Sequence, residues 1–261
     1  MTSHARLVLQ TGTQGYGILG RHAENDLEGT LDTVLEAGYG GLEIMSSLLE
    51  DRPRLRAACA ERGLELTALH LFWQELDDFD WSALAELGVG RLILSGLPVA
   101  SEEQTLGCLT DLRRHSARAR REGARVLLHN HAEEGIPLPG GSTPFEILAD
   151  ETDEKEVGFV VDLHWAAVAG DTARMLKATA GRCDYLHIKD GLTADPQDPR
   201  SFDLGTGEVD LLGGWRQALG AGPVDIAVVE RAMPAPDVRA ALHHDADFVR
   251  SLFAAQDGAA E

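Results

Sequence analysis

Eight short apolar runs, rich in Val, Leu and Ile, alternate with longer amphipathic stretches along the 261-residue chain. Several runs are apolar on consecutive residues, which is typical of parallel strands buried on both faces. The runs cover residues 6–11, 41–45, 64–71, 91–95, 125–129, 158–162, 185–189 and 225–230. This alternation constrains the fold more than any other feature of the sequence.

Helical patterns lie between the runs. Leu27, Leu31 and Val34 recur at helical spacing, and Gly38 follows as a stop signal. The starts of the other predicted helices are Pro53, Ser101, Thr143, Asp171 and Asp237, and Gly63 and Gly123 end the first two of these.

Strand and helix repeated eight times predict an α/β fold, a closed (β/α)₈ TIM barrel that forms a single domain over residues 1–261. An open sheet of eight strands is the alternative. No GxGxxG motif follows the first run, which argues against a dinucleotide site. We interpret the glycine-rich residues 12–20 as a loop at the barrel mouth.

The charge of the chain limits its partners. A formal net charge of −20 repels nucleic acid and anionic membranes, so we expect neither as a partner. The arginine-rich residues 113–125 fall mostly on one predicted helix and are interpreted as its solvated face.

Three scattered cysteines, Cys59, Cys108 and Cys183, form no CxxC pair and indicate neither a disulfide framework nor a zinc knuckle. No signal peptide pattern or long apolar segment is present, so we expect a cytoplasmic protein. Whether it is a homo-oligomer stays open.

Polar residues stand where the apolar runs end, and in a parallel barrel these ends meet at one rim. They are Thr11, Glu43, His70, Ser95, His129, Asp162, His187 and Glu230. One such residue is more often a hydrogen-bonding group than a ligand. The last four, two imidazoles and two carboxylates on successive strands, form a mixed ligand set for one divalent metal ion.

Five motifs carry a resemblance to a known family: HNH at 129–131, DLHW at 162–165, HIKD at 187–190, LGTGEVD at 204–210 and VVE at 228–230. In order and spacing they resemble the xylose isomerase-like TIM barrel superfamily from about Gly38 to Glu230. The nearest group is the sugar phosphate isomerase/epimerase proteins.

That resemblance implies a metal held by Glu, Asp, His and Glu on the last four strands. Asp162, His187 and Glu230 match this pattern, whereas His129 stands where Glu is common. The HNH block is similar to a recurring branch of the family. Two imidazoles shift the expected metal from Mg²⁺ toward Mn²⁺, our first choice, with Co²⁺, Fe²⁺ and Zn²⁺ also open.

The expected reaction is isomerisation or epimerisation of a sugar, sugar phosphate or keto sugar through a metal-stabilised enediolate. Glu230 is the first candidate for the base and His131 the second. Lys189 could contact a substrate hydroxyl or an oxyanion, or it could form a salt bridge with Asp190. His187 and Asp162 would be ligands only.

Other mouth residues are candidate substrate contacts. Glu43 and His70 lie opposite the ligand strands, although a buried, hydrogen-bonded His70 is an equal alternative. His164 and Trp165 follow the Asp162 strand, and Trp165 could stack on a sugar or plug the core. The loops at residues 72–81, 133–142 and 192–202 are expected to shape the pocket.

Three other functions stay open. A lyase or dehydratase acting on a keto sugar, keto-inositol or keto-glycoside would share the first proton abstraction. An endonuclease IV-like DNA repair enzyme would use the same barrel, but it needs a multi-metal cluster and a basic face. A non-catalytic binding role is the third. Gly205 and Gly207 predict a tight loop, with a phosphate cradle as the weaker alternative.

Overall fold

The computed structural model describes residues 5–12, 26–196, 198, 200, 202–231, 233 and 235–257. Eight parallel strands close into one barrel in chain order, and the first strand pairs with the last. The strands are β1 Arg6–Gln10, β2 Gly41–Met45, β3 Glu65–Phe72, β4 Arg91–Ser95, β5 Arg125–His129, β6 Gly158–Asp162, β7 Tyr185–Ile188 and β8 Ile226–Val229. The predicted barrel is confirmed, and the open sheet is wrong. The predicted mouth loop lies, after Gly12, outside the described residues.

Helices pack around the barrel. They are α1 Leu27–Ala37, α2 Arg52–Glu61, α3 Ser82–Leu87, α4 Glu102–Gly107, α5 Leu109–Arg121, α6 Pro144–Glu151, α7 Leu163–Val168, α8 Thr172–Ala178, α9 Leu211–Ala221 and α10 Val238–Asp257. Short 3₁₀ turns follow three of the strands, at Ser46–Leu48, Trp73–Glu75 and Glu133–Gly135.

The structure differs from the predicted helices in four places, and two of these are the short helices α3 and α7, which were not predicted. The single long helix expected from Ser101 is divided at Cys108, directly after Gly107, whose residue type weakens a helix interior. Helix α9 was not predicted because Gly213 and Gly214, whose residue type weakens a helix, lie in its first turn. Gly214 packs closely there, since a Cβ at this position would lie 3.0 Å from a Leu163 methyl group.

The interior of the barrel explains how the site is positioned. A layer of apolar side chains fills it, made of Val8, Ala68, Ile93, Leu127, Val160, Tyr185, Ile226 and Val228. Side chains alternate along a strand, so a residue two positions beyond this layer also points inward, but at the carboxyl end. The residues two positions on are Gln10, His70, Ser95, His129, Asp162, His187 and Glu230. The alternation therefore brings them to one level at the mouth.

The outer surface agrees with the predicted solvated helix. Arg113 donates a hydrogen bond to the Glu156 carboxylate at 2.9 Å, and the guanidinium of Arg118 lies 4.9 Å from the centre of the Trp81 ring. None of the described helices combines the length and apolarity needed to cross a membrane.

Candidate functional site

Four side chains from β5 to β8 converge at the barrel mouth. His129, Asp162, His187 and Glu230 each offer one ligand atom, and these atoms lie within 4.8 Å of one another. The Nε2 atom of His129 is 3.8 Å from both Asp162 Oδ2 and Glu230 Oε2. The predicted meeting of two nitrogen and two oxygen donors is thus present in the structure.

Several polar atoms at this point are buried without a partner. Both ring nitrogens of His129 and the Oδ2 atom of Asp162 make no hydrogen bond within the described part of the chain. The other oxygen of Asp162 accepts the Trp165 amide at 3.0 Å and caps α7. Unpaired buried polar atoms destabilise a protein. A divalent cation between them would satisfy both the carboxylate and the imidazole, so these residues fit a metal.

The protonation states of the ligand residues have clear causes. Burial, followed by the charges of His187 and His70, holds the pKa of His129 well below its ordinary value, which keeps its ring neutral. Burial raises the pKa of Asp162. Burial also opposes ionisation of Glu230, but Lys189 and His187 outweigh it, so the pKa of Glu230 falls well below normal.

His187 is held between two carboxylates. Its Nδ1 lies 2.7 Å from Glu230 Oε2, and its Nε2 lies 2.9 Å from Glu43 Oε2. Burial alone would lower the pKa of the ring. The carboxylates of Glu43 and Glu230 have the larger effect, and together they raise this pKa to about 10. Glu43 is fully buried, and its contact with the ring has the arrangement by which carboxylates orient histidines at metal sites.

The strand ends of β1 to β4 form a continuous hydrogen-bond network. The Gln10 amide donates to Glu43 at 2.9 Å and to Glu230 at 3.0 Å. His70 bonds Glu43 at 2.8 Å through Nδ1 and Ser95 at 2.9 Å through Nε2. Glu43 and His70, predicted as substrate contacts, therefore lie behind the candidate ligands with their polar atoms already paired.

Gln10 is a site residue that sequence reasoning missed. It ends β1, whereas Thr11, the residue named from the sequence, accepts the Met45 amide at 3.2 Å. The signal was present, because Gln10 stands two positions after the interior residue Val8.

Lys189 is a buried cation at the mouth. Its Nζ lies 2.8 Å from Glu230 Oε1 and 5.1 Å from the centre of the Trp165 ring. Burial opposes its charge, but Glu230 and Asp162 leave its pKa raised. The alternative salt bridge to Asp190 does not form.

Asp190 instead organises the loop after β7. Its carboxylate accepts the amides of Gly191 at 2.8 Å, Gly205 at 2.9 Å and Gly207 at 3.0 Å. A Cβ at Gly207 would lie 2.1 Å from Asp190 Oδ1, so only glycine fits. The tight loop predicted for Gly205 and Gly207 is present, and the Asp190 carboxylate occupies the place suggested for phosphate.

Trp165 and His131 lie at the outer edge of the site. The His131 ring is 5.4 Å from the rings of both His129 and Trp165. Burial, followed by the charge of Lys189, lowers the pKa of His131 to about 4. His164 is 2% exposed, and its Nε2 lies 3.2 Å from the Leu192 carbonyl oxygen, so it packs under the loop after β7.

Glu134 was also missed by the sequence analysis. It is 2% exposed, and its Oε2 accepts the His131 amide at 2.8 Å. Burial raises the pKa of Glu134 to about 7. It lies in the loop 133–142 that was expected to shape the pocket, but its position five residues after His129 follows no strand period, so no pattern singled it out.

The chain folds into a closed parallel barrel. Two imidazoles and two carboxylates converge at its mouth and form a candidate metal site. The family described as "Xylose isomerase-like TIM barrel" matches residues 31–251, and the chain belongs to this family. No curated protein sequence matches it.

Solved structures similar to this chain share its fold. A sugar phosphate isomerase/epimerase from Parabacteroides distasonis is 20% identical, with a TM-score of 0.76 over 96% of this chain and 95% of the other. The IolI protein with a zinc atom is 18% identical, with a TM-score of 0.74 over 95% and 98%. The D-allulose 3-epimerase of a Methylomonas species, in complex with D-allulose, is 16% identical, with a TM-score of 0.69 over 95% and 97%.

At 16–20% identity, the likeness to these three structures shows a shared fold. None of the three is described as a lyase, so the comparison does not favour that alternative.

Proposed function

We propose that this protein is a metal-dependent isomerase or epimerase that removes a proton next to the carbonyl of a keto sugar. One observation carries the proposal. The unpaired atoms of His129 and Asp162 face His187 and Glu230 within a sphere that one ion can fill. His129, Asp162, His187 and Glu230 would hold this ion. A divalent ion there would supply positive charge to the substrate oxygens and so ease proton removal.

Glu230 is the first candidate for the base. Its side chain is 13% exposed, whereas those of His129, Asp162 and His187 are 2% exposed or less. It is therefore the ligand residue that a substrate can reach from the mouth. Its lowered pKa keeps it ionised, which is the form that accepts a proton.

His131 and Lys189 complete the proposed machinery. The neutral ring of His131 can exchange a proton on the side of the site formed by β5. The Lys189 ammonium lies beside Glu230, the proposed base. From there it can donate a hydrogen bond to a substrate oxygen that becomes negative when the proton is removed. Trp165 offers an aromatic surface to the sugar.

Finer assignments belong to the same proposal. We place the chain, as one domain over residues 1–261, in the branch of the family that carries the HNH block. Mn²⁺ is the favoured metal, and the zinc of the IolI structure keeps Zn²⁺ among the candidates with Co²⁺, Fe²⁺ and Mg²⁺. The proposed partner is a small carbohydrate in the cytoplasm, without nucleic acid or membrane, and with self-association into a homo-oligomer left to measurement.

Hydrogen exchange tests this function directly. Protein loaded with Mn²⁺ is incubated in D₂O with D-allulose, D-fructose or L-ribulose, and the sugars are analysed by mass spectrometry. We expect at least one ketose to gain a single deuterium on carbon without other change in mass. Loss of water from the sugar would indicate elimination instead.

His187→Ala should abolish both the exchange and the bound metal measured by elemental analysis. The matched control is His243→Ala, since His243 lies on α10 outside the site, and it should retain both. Exchange that survives complete removal of the metal would refute the proposal.

A further inference from the structure

A cavity of about 580 Å³ opens beside the proposed metal site, between the ends of β4, β5 and β6. Its volume lies within the range of about 300–1,000 Å³ that is usual for small-molecule sites. The four proposed ligands do not line it. It is therefore additional space, next to the position at which the sugar would be held.

The cavity and the metal site share a wall. His131 and Trp165 line the cavity. His131 lies 5.4 Å from His129, and Trp165 lies 5.1 Å from the Lys189 ammonium, measured to ring centres. A group attached to a sugar at the metal site would reach the cavity directly.

The lining indicates the chemistry of this group. Leu97, Val99 and Val168 supply an apolar surface, and Trp165 supplies an aromatic one. Glu133 and Glu134 are the ionisable carboxyl groups of the lining, and none of its described residues is Lys or Arg. A phosphate dianion would meet carboxylates and no cation there, which is unfavourable in a chain of net charge −20.

The basic residues near this cavity in the described part of the chain do not change this conclusion. Lys189, Arg200 and Arg231 line a separate, tight cavity of only about 20 Å³. Each is paired with a carboxylate. The pairs are Lys189–Glu230 at 2.8 Å, Arg200–Asp198 at 2.8 Å and Arg231–Asp245 at 2.7 Å. Binding a phosphate there would require both more space and the loss of an existing ion pair.

We propose that the cavity between the ends of β4, β5 and β6 binds an uncharged apolar or aromatic substituent of the substrate, so that the natural substrate is a neutral glycoside-like keto sugar and not a sugar phosphate. The inference rests on the proposed function, because it places the sugar ring at the metal site. It narrows the substrate class of that site by the charge and surface of the adjoining cavity.

Binding of matched glucosides tests the inference. Methyl and phenyl D-glucopyranosides, in both anomeric forms, are titrated into metal-loaded protein by calorimetry, together with glucose and glucose 6-phosphate. At least one phenyl glucoside should bind about 10-fold more tightly than its methyl counterpart, because it stacks on Trp165. Glucose 6-phosphate should bind no more tightly than glucose.

Trp165→Ala should reduce the phenyl preference to about 2-fold or less, since it removes the aromatic surface. The matched control is Trp73→Ala, because Trp73 contacts His115 at 5.6 Å and does not line the cavity. It should keep the preference. If Trp165→Ala fails to fold, Val168→Lys serves instead, and it should weaken phenyl glucoside binding and strengthen glucose 6-phosphate binding.

The inference is overturned if no phenyl preference is found, if the preference survives in Trp165→Ala, or if glucose 6-phosphate binds more tightly than glucose. The same preparations are assayed for deuterium exchange. Metal-dependent exchange without a phenyl preference would remove only the cavity assignment. A phenyl preference that persists in metal-free protein lacking exchange in any ketose would support the cavity assignment and count against the proposed function.

Discussion

The two halves of the barrel mouth carry similar residue types but differ in how these residues are hydrogen-bonded. In the support half, from β1 to β4, the side chains of Gln10, Glu43, His70 and Ser95 bond one another. In the ligand half, from β5 to β8, His129 and one oxygen of Asp162 are left without partners in the described chain. The halves meet where Glu43 bonds His187 and Gln10 bonds Glu230.

Two histidines, one from each half, show how hydrogen bonding separates similar strand ends. His70 and His129 both point into the mouth, and their rings are only 5.0 Å apart. His70 has both ring nitrogens paired, and His129 has neither. Residue type and position are the same, so hydrogen bonding is what distinguishes His129 from His70.

The largest expected effect comes from removing the unpaired imidazole. His129→Leu should lower the bound metal from about one ion per chain to less than about a tenth, because one of four ligands is lost. Elemental analysis measures this change. The metal-free variant should unfold at a temperature at least as high as that of metal-free wild type, because two unpaired buried nitrogens are gone. Full metal content in this variant would contradict the division into two halves.

The second effect comes from the link between the halves. Glu43→Gln should weaken metal binding by about 10- to 100-fold without abolishing it, because Glu43 orients His187 but does not bind the ion. Competition with a chelating dye gives the affinity. A loss as complete as that of His129→Leu would place Glu43 among the ligands, and an unchanged affinity would remove its orienting role.

The third effect concerns Glu134, in the ligand half, and is seen in the dependence of stability on pH. Its pKa is raised from 4.5 to about 7 in the folded protein, so the folded state holds a proton that the unfolded state releases between these values. Wild type should therefore lose stability relative to Glu134→Gln as the pH rises from about 4.5 to about 7, by up to about 3 kcal/mol. Urea unfolding at several pH values measures the difference. A constant difference would show that Glu134 titrates normally.

The smallest effect is expected at the edge of the support half. Ser95→Ala removes one hydrogen bond from His70 and should lower the free energy of unfolding by about 1 kcal/mol. Metal affinity should change less than about 3-fold, since His70 keeps its bond to Glu43. Denaturant unfolding and dye competition measure the two quantities. A metal loss equal to that of Glu43→Gln would show that the whole network, and not Glu43 alone, orients His187.

The strands were predictable because their pattern is local. Each of the eight apolar runs agrees with an observed strand to within one residue at either end. Three helices were missed, also for local reasons. Helix α3 is only six residues long, α7 begins directly after the strand end Asp162, and α9 carries Gly213 and Gly214 in its first turn.

The four candidate ligand residues could be predicted for a different reason. A polar residue that ends a buried apolar run in a parallel barrel must reach the common rim, wherever the intervening helices lie. That rule identified His129, Asp162, His187 and Glu230 without any distance. It could not distinguish the roles of Glu43 and His70, because the rule describes position and not hydrogen bonding.

The sequence by itself determined the barrel and the four donors at its mouth, since strand periodicity and strand-end polarity are properties of short segments. Only the tertiary structure decided which of the mouth residues already have hydrogen-bond partners. Glu43 and His187 are 144 positions apart, and Gln10 and Glu230 are 220 apart. Such pairs form when the barrel closes, and closure also creates the cavity beside Trp165, which no single segment contains.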